Sequence, residues 1–589
     1  MNISLIKIAR RVWSHISKRR RLQLSILIIL MAISSLTEVF SIAAVIPFLG
    51  ILATPEIVFD HPISKPFIDY FDFRKPDDLF LPITLLFISA SLIAGTMRII
   101  LVWASTKLSF STGHDLSYKV YEKSLYQPYS VHIAKNSSEV INAVINKTTL
   151  TIVHFIQPII QILSSITLFT AIIGTLLYVD SSMALSAIIG IGSIYIIIGA
   201  FAKRRLNNNG LLTARESSNV IKALQEGLGG IRDVLIGGLQ STYLSIYRDS
   251  DYPLRMAQAN NGFIQQSPRF LMEALGMSLI ALIAYLFSQN TNSFVEIIPI
   301  MGALALGAQR LLPILQILYG AWSSLNGEKK SVSDVLEMLD QEIPNTISNN
   351  SQPVKFSNLI SIQNISFSYK GSQNQTLEDI NIDIYKGDRI GICGTTGSGK
   401  TTFLDIIMGL LKPTNGRVLI DFDFDIHSNP YSWQQIISHV PQDIFMSDTS
   451  IAENIAFGIH SKDINMEKVI KAAKNAQVHD FISKLPLGYK TKMGEQGVQV
   501  SGGQRQRVGI ARALYKRANV IFFDEATSAL DSKTEQSLMS SLNNLNKDLT
   551  IIMIAHRLTT LKDCNKIIQL EGGRIKKIGT YTDIIIDTN

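Results

Sequence analysis

Apolar residues gather in the first 325 positions into windows about as long as a membrane is thick. A helix needs about 20 such residues to cross roughly 30 Å of hydrocarbon. Six windows qualify: 22–50, 80–104, 150–179, 183–202, 270–287 and 295–323. Only Asp180-Ser181-Ser182 parts the third from the fourth, which predicts a tight turn there. A large buried helical core is the competing explanation, but six windows in one half of a chain favour membrane spans. Between them, 105–149 and 203–269 are polar yet keep a helical repeat, as in Glu139-Val140-Ile141-Asn142-Ala143-Val144-Ile145. They predict helices reaching well beyond the bilayer, with turns near Pro128–Lys135 and Gly227–Gly238.

The pattern then changes. Asn345 to Pro353 is polar and rich in breakers, which predicts a linker. Beyond it, short β-like runs at Ile360–Ile365, Arg389–Cys393, Ser438–Val440, Val520–Phe523 and Thr550–Ile554 alternate with helical stretches. Alternation of that kind predicts an α/β domain. The expected organisation is a transmembrane domain over 1–330, a linker over 331–353 and an α/β domain over 354–589. No internal repeat or low-complexity tract interrupts it.

Composition and charge sharpen this picture. With 47% hydrophobic and 17% charged residues, the 589-residue chain is not intrinsically disordered. A net charge of +8 suits nucleic acid, a membrane surface or the cytoplasmic flanks of membrane helices. The distribution favours the last. Lys7, Arg10, Arg11, Lys18, Arg19, Arg20 and Arg21 precede the first span without an acid among them, so that end is expected to stay in the cytoplasm. The stretch 51–79 carries Glu56, Asp60, Asp69, Asp72, Asp77 and Asp78 and is expected outside. Lys203, Arg204 and Arg205 return the chain to the inside, so both termini should be cytoplasmic. Nucleic acid is not needed as a partner. The first apolar window is too long for a cleaved signal peptide. Two cysteines, Cys393 and Cys564, exclude a disulfide framework and suit a reducing compartment.

The strongest chemical signal is Gly394-Thr395-Thr396-Gly397-Ser398-Gly399-Lys400-Thr401, which fills the pattern G-x-x-x-x-G-K-[ST]. It follows an apolar run and leads through Thr402 into a helical stretch, the context a phosphate loop requires. Glycines let backbone N–H groups turn toward phosphate oxygens, and the helix start adds its positive dipole. Lys400 is expected at the β- and γ-phosphates and Thr401 on Mg²⁺. The run Val520-Ile521-Phe522-Phe523-Asp524-Glu525 reads as a strand buried on both faces that ends in two acids. Ligands collect at such carboxyl ends. Asp524 is expected on Mg²⁺, and Glu525 as general base for the attacking water. Ser501-Gly502-Gly503-Gln504 opens an amphipathic helix and is a second candidate anion site, although a plain helix cap explains it equally well. Two copies face to face would give that site a use.

Taken in this order, the motifs closely resemble the ATP-binding cassette family. The layout of six spans and one cassette resembles an exporter half-transporter. The implied fold is an all-α six-helix transmembrane domain with helices extended into the cytoplasm, followed by an α/β P-loop domain. Val500 stands where the family's signature usually has leucine. The resemblance implies that Tyr369 stacks on adenine and that Gln442 contacts Mg²⁺ and the attacking water. It further implies that Asp531 lies in the loop crossing the dimer interface, and that His556 is the switch histidine near the γ-phosphate. Gly494-Glu495-Gln496-Gly497 sits where exporters touch the long membrane-domain connections. No catalytic position departs from the family pattern, so a homodimer hydrolysing ATP with Mg²⁺ at two sites is the expectation.

Cargo is read from ionisable residues in or beside the apolar windows: Glu38, Arg98, Arg269, Glu273 and Arg310. An arginine near the bilayer centre costs about 2.5–3.5 kcal/mol on insertion scales, so such residues face cavities or one another. An internal Arg–Glu pair that locks helices is one explanation. A cationic cavity for a phosphate-bearing headgroup is the other, since guanidinium forks match phosphate oxygens. The stretches Glu38–Phe48, Pro268–Gly276 and Arg310–Pro313 resemble bacterial flippases that move polyprenyl-diphosphate-linked oligosaccharides. The external stretch is similar too, with a short helix expected over Pro62–Phe73. That likeness implies a lipid-linked oligosaccharide carried across the bacterial inner membrane. Peptides, drugs or plain lipids are the alternative cargo, and an ATP-gated membrane protein without transport is the contrasting class. No peptidase-like segment is expected before the first span.

Overall fold

The computed structural model describes residues 4–53, 55–60, 62, 64–179, 181–290, 294–344, 352–372, 374–494, 497, 500–526, 532–543, 548–555 and 557–586. Within 175–191 and 276–310 the description is mostly of backbone. The chain forms two compact units. One comprises Met1–Leu125 with Lys135–Glu342; the other comprises Tyr126–Ala134 with Ile343–Asn589.

The first unit is helical. An amphipathic helix, Leu5–His15, precedes the long helices Lys18–Ala53 and Phe80–Leu125. The latter has 46 residues, or about 69 Å at 1.5 Å per residue, more than twice a hydrocarbon core. It therefore leaves the bilayer, as its polar second half requires. Among the described residues, Lys18–Leu52, Pro76–Leu125 and Ser137–Gly174 are long and apolar enough to cross a membrane. The last three apolar windows fall within the helices Ser181–Gly229, Gln240–Asn290 and Phe294–Gly327. Of the expected turn, Asp180 lies outside the described residues, while Ser181 and Ser182 belong to the helix Ser181–Gly229. The two distal turns carry short helices of their own, Tyr129–Ala134 and Ile231–Ile236.

The stretch 51–79 holds the short helix expected over Pro62–Phe73, as Lys65–Phe71, with further elements beside it. It forms two helices, Pro55–Asp60 and Lys65–Phe71, and a 3₁₀ turn at Pro76–Leu79. Pro66 favours a helix start beside it, and Asp72, left-handed at φ 50°, stops that helix. Ile51, Ile68 and Leu79 form the small core that holds the stretch together.

Near the linker the first unit is tied by both packing and charge. Ile8 and Val12 pack with Leu116 and Val120, and with Val332, Val335, Leu336 and Leu339. Those last four lie on one face of the helix Lys329–Leu339, which belongs to the first unit. Arg11 and His15 both reach Asp340, Arg20 binds Asp115 at 3.0 Å, and Lys147 binds Asp334 at 2.5 Å. Burial opposes ionisation of Asp340, but hydrogen bonds from Arg11 and His15 prevail and hold its carboxyl below the ordinary range. Helices also approach closely at glycine. A Cβ on Gly210 would lie 2.2 Å from the Gly327 carbonyl oxygen.

The second unit contains two sheets. The strands are β1 (Leu359–Phe367), β2 (Leu377–Tyr385), β3 (Arg389–Gly394), β4 (Asn415–Ile420), β5 (Phe424–Asp425), β6 (Ile437–Val440), β7 (Val520–Asp524), β8 (Thr550–Ile554), β9 (Lys566–Glu571) and β10 (Arg574–Gly579). One sheet is antiparallel with order β2-β1-β4-β5; the other has order β10-β9-β3-β8-β7-β6. In the second sheet β9, β3, β8, β7 and β6 are parallel, so the carboxyl ends of β3 and β7 open on the same edge. The antiparallel sheet and the β9–β10 hairpin are additions to the plain α/β domain read from the chain. Phe403, Ile406 and Ile407 from the helix Lys400–Ile407 join Ile390, Ile392, Phe522 and Ile552 in one buried cluster that fixes helix against sheet.

Candidate nucleotide site

Strand β3 delivers the chain into residues 394–399, and the helix Lys400–Ile407 carries it away. Gly394, Gly397 and Gly399 have φ of 152°, 82° and 94°, a region that side chains disfavour. Two of them also lack room for a side chain. A Cβ on Gly394 would lie 2.2 Å from the Leu570 carbonyl oxygen, and one on Gly399 would lie 2.9 Å from that of Thr376. Lys400 is largely buried and donates to the Gly394 and Thr395 carbonyls at 3.0 Å each. The Ser398 hydroxyl is buried without a hydrogen-bond partner among the described residues. Thr395, Thr396, Gly397 and Thr401 are exposed along the rim. A cradle of glycines, an ammonium held on loop carbonyls and an orphan hydroxyl together fit a phosphate chain.

The acids of β7 stand at the same edge of the sheet. Glu525 has a left-handed backbone, φ 52°, and its N–H donates to the Ile554 carbonyl at 3.1 Å. Gln442, which follows β6, donates its amide to the Glu525 carboxylate at 2.8 Å. Two residues 83 positions apart in sequence are thus joined where the attacking water is expected. Left-handed conformations cost about 1–3 kcal/mol for residues other than glycine and concentrate at functional sites. No group of three or more His, Cys, Asp or Glu suited to a metal occurs among the described residues. Mg²⁺ is commonly held by one or two protein oxygens together with substrate phosphates. Asp524, Thr401 and Gln442 supply donors of that kind.

Asp405 is a member of this neighbourhood that the sequence reading missed. It lies five positions after Lys400 on the same helix, and that spacing is the signal that could have found it. Burial, and then the nearby Asp524 carboxylate, push its pKa up to about 6. A raised carboxyl favours the fold while protonated. That contribution is complete below the ordinary value of 3.8 and is lost as pH rises through about 6. Asp405→Asn should therefore raise the thermal midpoint at pH 8 and leave it unchanged near pH 3.5. The gap between 3.8 and about 6 caps the gain at about 3 kcal/mol. Scanning calorimetry at the two pH values checks this, and equal shifts at both would remove the ionisation argument.

Tyr369 is 38% exposed and sits edge-on to Phe367 with ring centroids 5.0 Å apart; its hydroxyl bonds that of Thr402 at 3.0 Å. Ser501 and Gln504 cap each other: the Ser501 hydroxyl accepts from the Gln504 N–H at 3.3 Å, and the Ser501 N–H donates to the Gln504 side chain at 2.9 Å. The helix Gly502–Tyr515 starts there, with Gly502 and Gly503 partly exposed. Asp531, His556, Glu495 and Gln496 lie outside the described residues. Gly494 and Gly497 both have left-handed backbones, φ 72° and 70°.

In the first unit the charged candidates separate. Arg269 and Glu273, one turn apart on the same helix, form an ion pair at 2.8 Å. Glu38 is buried, and with Arg98 it lines a cavity of about 170 Å³. Ser34, Ser105, Gln157 and Gln161 add polar groups to that wall. Arg98 makes no ion pair or side-chain hydrogen bond among the described residues. The Arg310 side chain lies outside the described residues.

A phosphate loop joined in one chain to helices of membrane length defines a membrane-bound nucleotide-binding protein. Residues 377–528 match the ABC transporter family, and residues 56–306 match the ABC transporter transmembrane region. The cassette and the helical half of the chain thus each match a domain of ABC transporters. It has the fold of a bacterial Atm1-family ABC exporter solved with ATP bound, with a TM-score of 0.78 at 22% identity over 97% of this chain and 96% of that one. It is 38% identical over 282 residues to the leukotoxin export ATP-binding protein of Aggregatibacter actinomycetemcomitans, covering 48% of this chain and 39% of that protein. It is 37% identical over 280 residues to the alpha-hemolysin translocation ATP-binding protein of Escherichia coli O157:H7, again covering 48% and 39%. The chain thus spans about two-fifths of these curated relatives' length.

Proposed function

We propose that this chain is one half of an ATP-driven exporter, paired with a second copy, that carries an anionic amphipathic glycolipid from the inner to the outer leaflet of a bacterial inner membrane. The observation behind the energy source is the pairing of Gln442 with Glu525 on the sheet edge that also holds the phosphate loop. Bound Mg²⁺ would offset phosphate charge. Lys400 and the loop N–H groups hold the phosphates, Glu525 accepts the water's proton, and Gln442 orients the carboxylate. Ser501-Gly502-Gly503-Gln504, partly exposed at a helix start, is suited to complete the site of the second copy. Closure of paired cassettes and their release after hydrolysis then switch the membrane cavity between sides. Both termini lie on the cytoplasmic side.

The cargo class rests on the cavity at Glu38 and Arg98. Its wall offers a guanidinium with no protein partner among the described residues, beside hydroxyls and amides. Diphosphate and sugar hydroxyls are complementary to such groups, and a polyprenyl-diphosphate-linked oligosaccharide carries both. The names of the toxin-exporting relatives favour a second reading, a peptide or protein cargo. Transport in proteoliposomes separates the two. With Arg98, Arg269 and Arg310 all changed to Ala, flipping of a polyprenyl-diphosphate saccharide should fall about ten- to hundredfold, since hydrogen bonds to charged groups contribute about 1.5–3 kcal/mol. Unchanged flipping would sink the cationic-cavity idea, and ATPase stimulation by peptides but not by the glycolipid would favour the toxin-like reading.

A further inference from the structure

A cavity of about 450 Å³ opens in the cassette at the sheet edge remote from the phosphate loop. Lys386 stands just before β3, Asn519 just before β7, and Asp548 and Leu549 just before β8. Its floor is therefore the amino ends of three neighbouring parallel strands. The phosphate loop is at the carboxyl ends, about 17 Å away along a five-residue strand. One wall is a single face of the helix Met466–Asn475, presenting Lys468, Lys471 and Asn475. The other wall is the last turn of the helix Gly502–Tyr515 with the bend that follows it. Arg517 lies in that bend with φ 56°, a conformation uncommon for a long side chain.

Four cations, Lys386, Lys468, Lys471 and Arg517, line this cleft against one carboxylate, Asp548, an excess of three positive charges. None of the four has an ion pair or side-chain hydrogen bond among the described residues. Elsewhere in the cassette exposed cations do find partners: Lys576 pairs with Glu571 at 2.7 Å, and Lys516, next to Arg517, donates to the Gln434 carbonyl at 2.6 Å. Lys468 and Lys471, three positions apart on one helix, repel each other unless an anion lies between them. The cleft is concave, and its volume is within the 300–1,000 Å³ common for small-molecule sites. A flat basic face would suit a membrane or nucleic-acid backbone, whereas this shape suits a compact polyanion.

We propose that the cleft is an accessory site for a linked-phosphate anion, either the phosphate chain of a nucleotide or an inorganic polyphosphate. Such a ligand bridges the helix Met466–Asn475 to the amino ends of the sheet. It also touches the carboxyl end of the helix whose first turn carries Ser501-Gly502-Gly503-Gln504. Occupancy is therefore placed to bias that helix without entering the hydrolytic site.

The test uses the full chain in zwitterionic nanodiscs, with Lys400→Ala to weaken binding at the phosphate loop. Inorganic tripolyphosphate is titrated calorimetrically without Mg²⁺, at low and moderate salt. Saturable binding that weakens as salt rises, and weakens at least tenfold more in Lys468→Glu/Lys471→Glu, is the expected result. Both substitutions fall on exposed side chains, and an unchanged thermal midpoint establishes that the double variant is folded. Should that variant be unstable, Arg517→Ala replaces it, with a loss of at least threefold expected. A non-hydrolysable ATP analogue binding more tightly than tripolyphosphate assigns the site to a nucleotide, and equal affinities assign it to the phosphate chain alone. Absence of saturable binding, or an affinity that the cleft substitutions leave unchanged, overturns the proposal.

Discussion

Glu525→Gln should cut ATP turnover by about a thousandfold while leaving nucleotide binding intact. General bases commonly contribute 10²–10⁴-fold, and an amide of the same shape cannot take the water's proton. The local geometry supports this substitution as a clean test. The Glu525 backbone is anchored by its bond to the Ile554 carbonyl, and its left-handed φ of 52° is set by the strand end, so Gln inherits the same position. Gln442 now donates to the carboxylate, and after the exchange it can donate to the new carbonyl oxygen. Phosphate release in lipid, measured beside binding of a fluorescent ATP analogue, separates the two effects. Turnover near wild type would remove Glu525 from the base role.

Gly394→Ala should abolish ATP binding and lower the stability of the cassette by about 3 kcal/mol or more. Two independent penalties act there. The φ of 152° belongs to glycine, and the new methyl would lie 2.2 Å from the Leu570 carbonyl oxygen on β9 and 2.8 Å from the Ser398 hydroxyl. The Leu570 carbonyl cannot retreat easily, because β9 is hydrogen-bonded to β3 along its length. Overpacking in a close-packed interior typically costs about 1–3 kcal/mol, and backbone strain adds to it. Equilibrium nucleotide binding and the midpoint of cassette unfolding measure the two losses. An alanine variant that binds ATP normally would show that the loop can open without loss, contrary to the geometry.

Much of the molecule was legible because its signals are local. The phosphate loop, its strand and its helix are contiguous, so one stretch of residues carries both the chemistry and its context. Membrane windows are equally local, since lipid demands an unbroken apolar run. A turn is expected near Pro128–Lys135, and the short helix Tyr129–Ala134 lies there, but its grouping with the second unit left no trace in the sequence. Other features left weaker traces. The run Ile380-Asn381-Ile382-Asp383-Ile384 alternates with period two, the sign of a strand with one buried face. A search for continuous apolar runs passes over it, and over the charged edge strand β10.

The Arg269–Glu273 pair follows from helical spacing alone, whereas the shared cavity of Glu38 and Arg98 does not, because 60 positions separate them. The same holds for the Gln442–Glu525 bond and for Asp405 beside Asp524. By itself, then, the sequence determined which segments are apolar enough to enter lipid and which loop has the form of a phosphate cradle, because the forces responsible act within a single helix or turn. Only the tertiary structure decided which distant polar groups share a site. Their partners, their burial and their ionisation depend on how strands order in a sheet and helices pack, and no short stretch of chain encodes that.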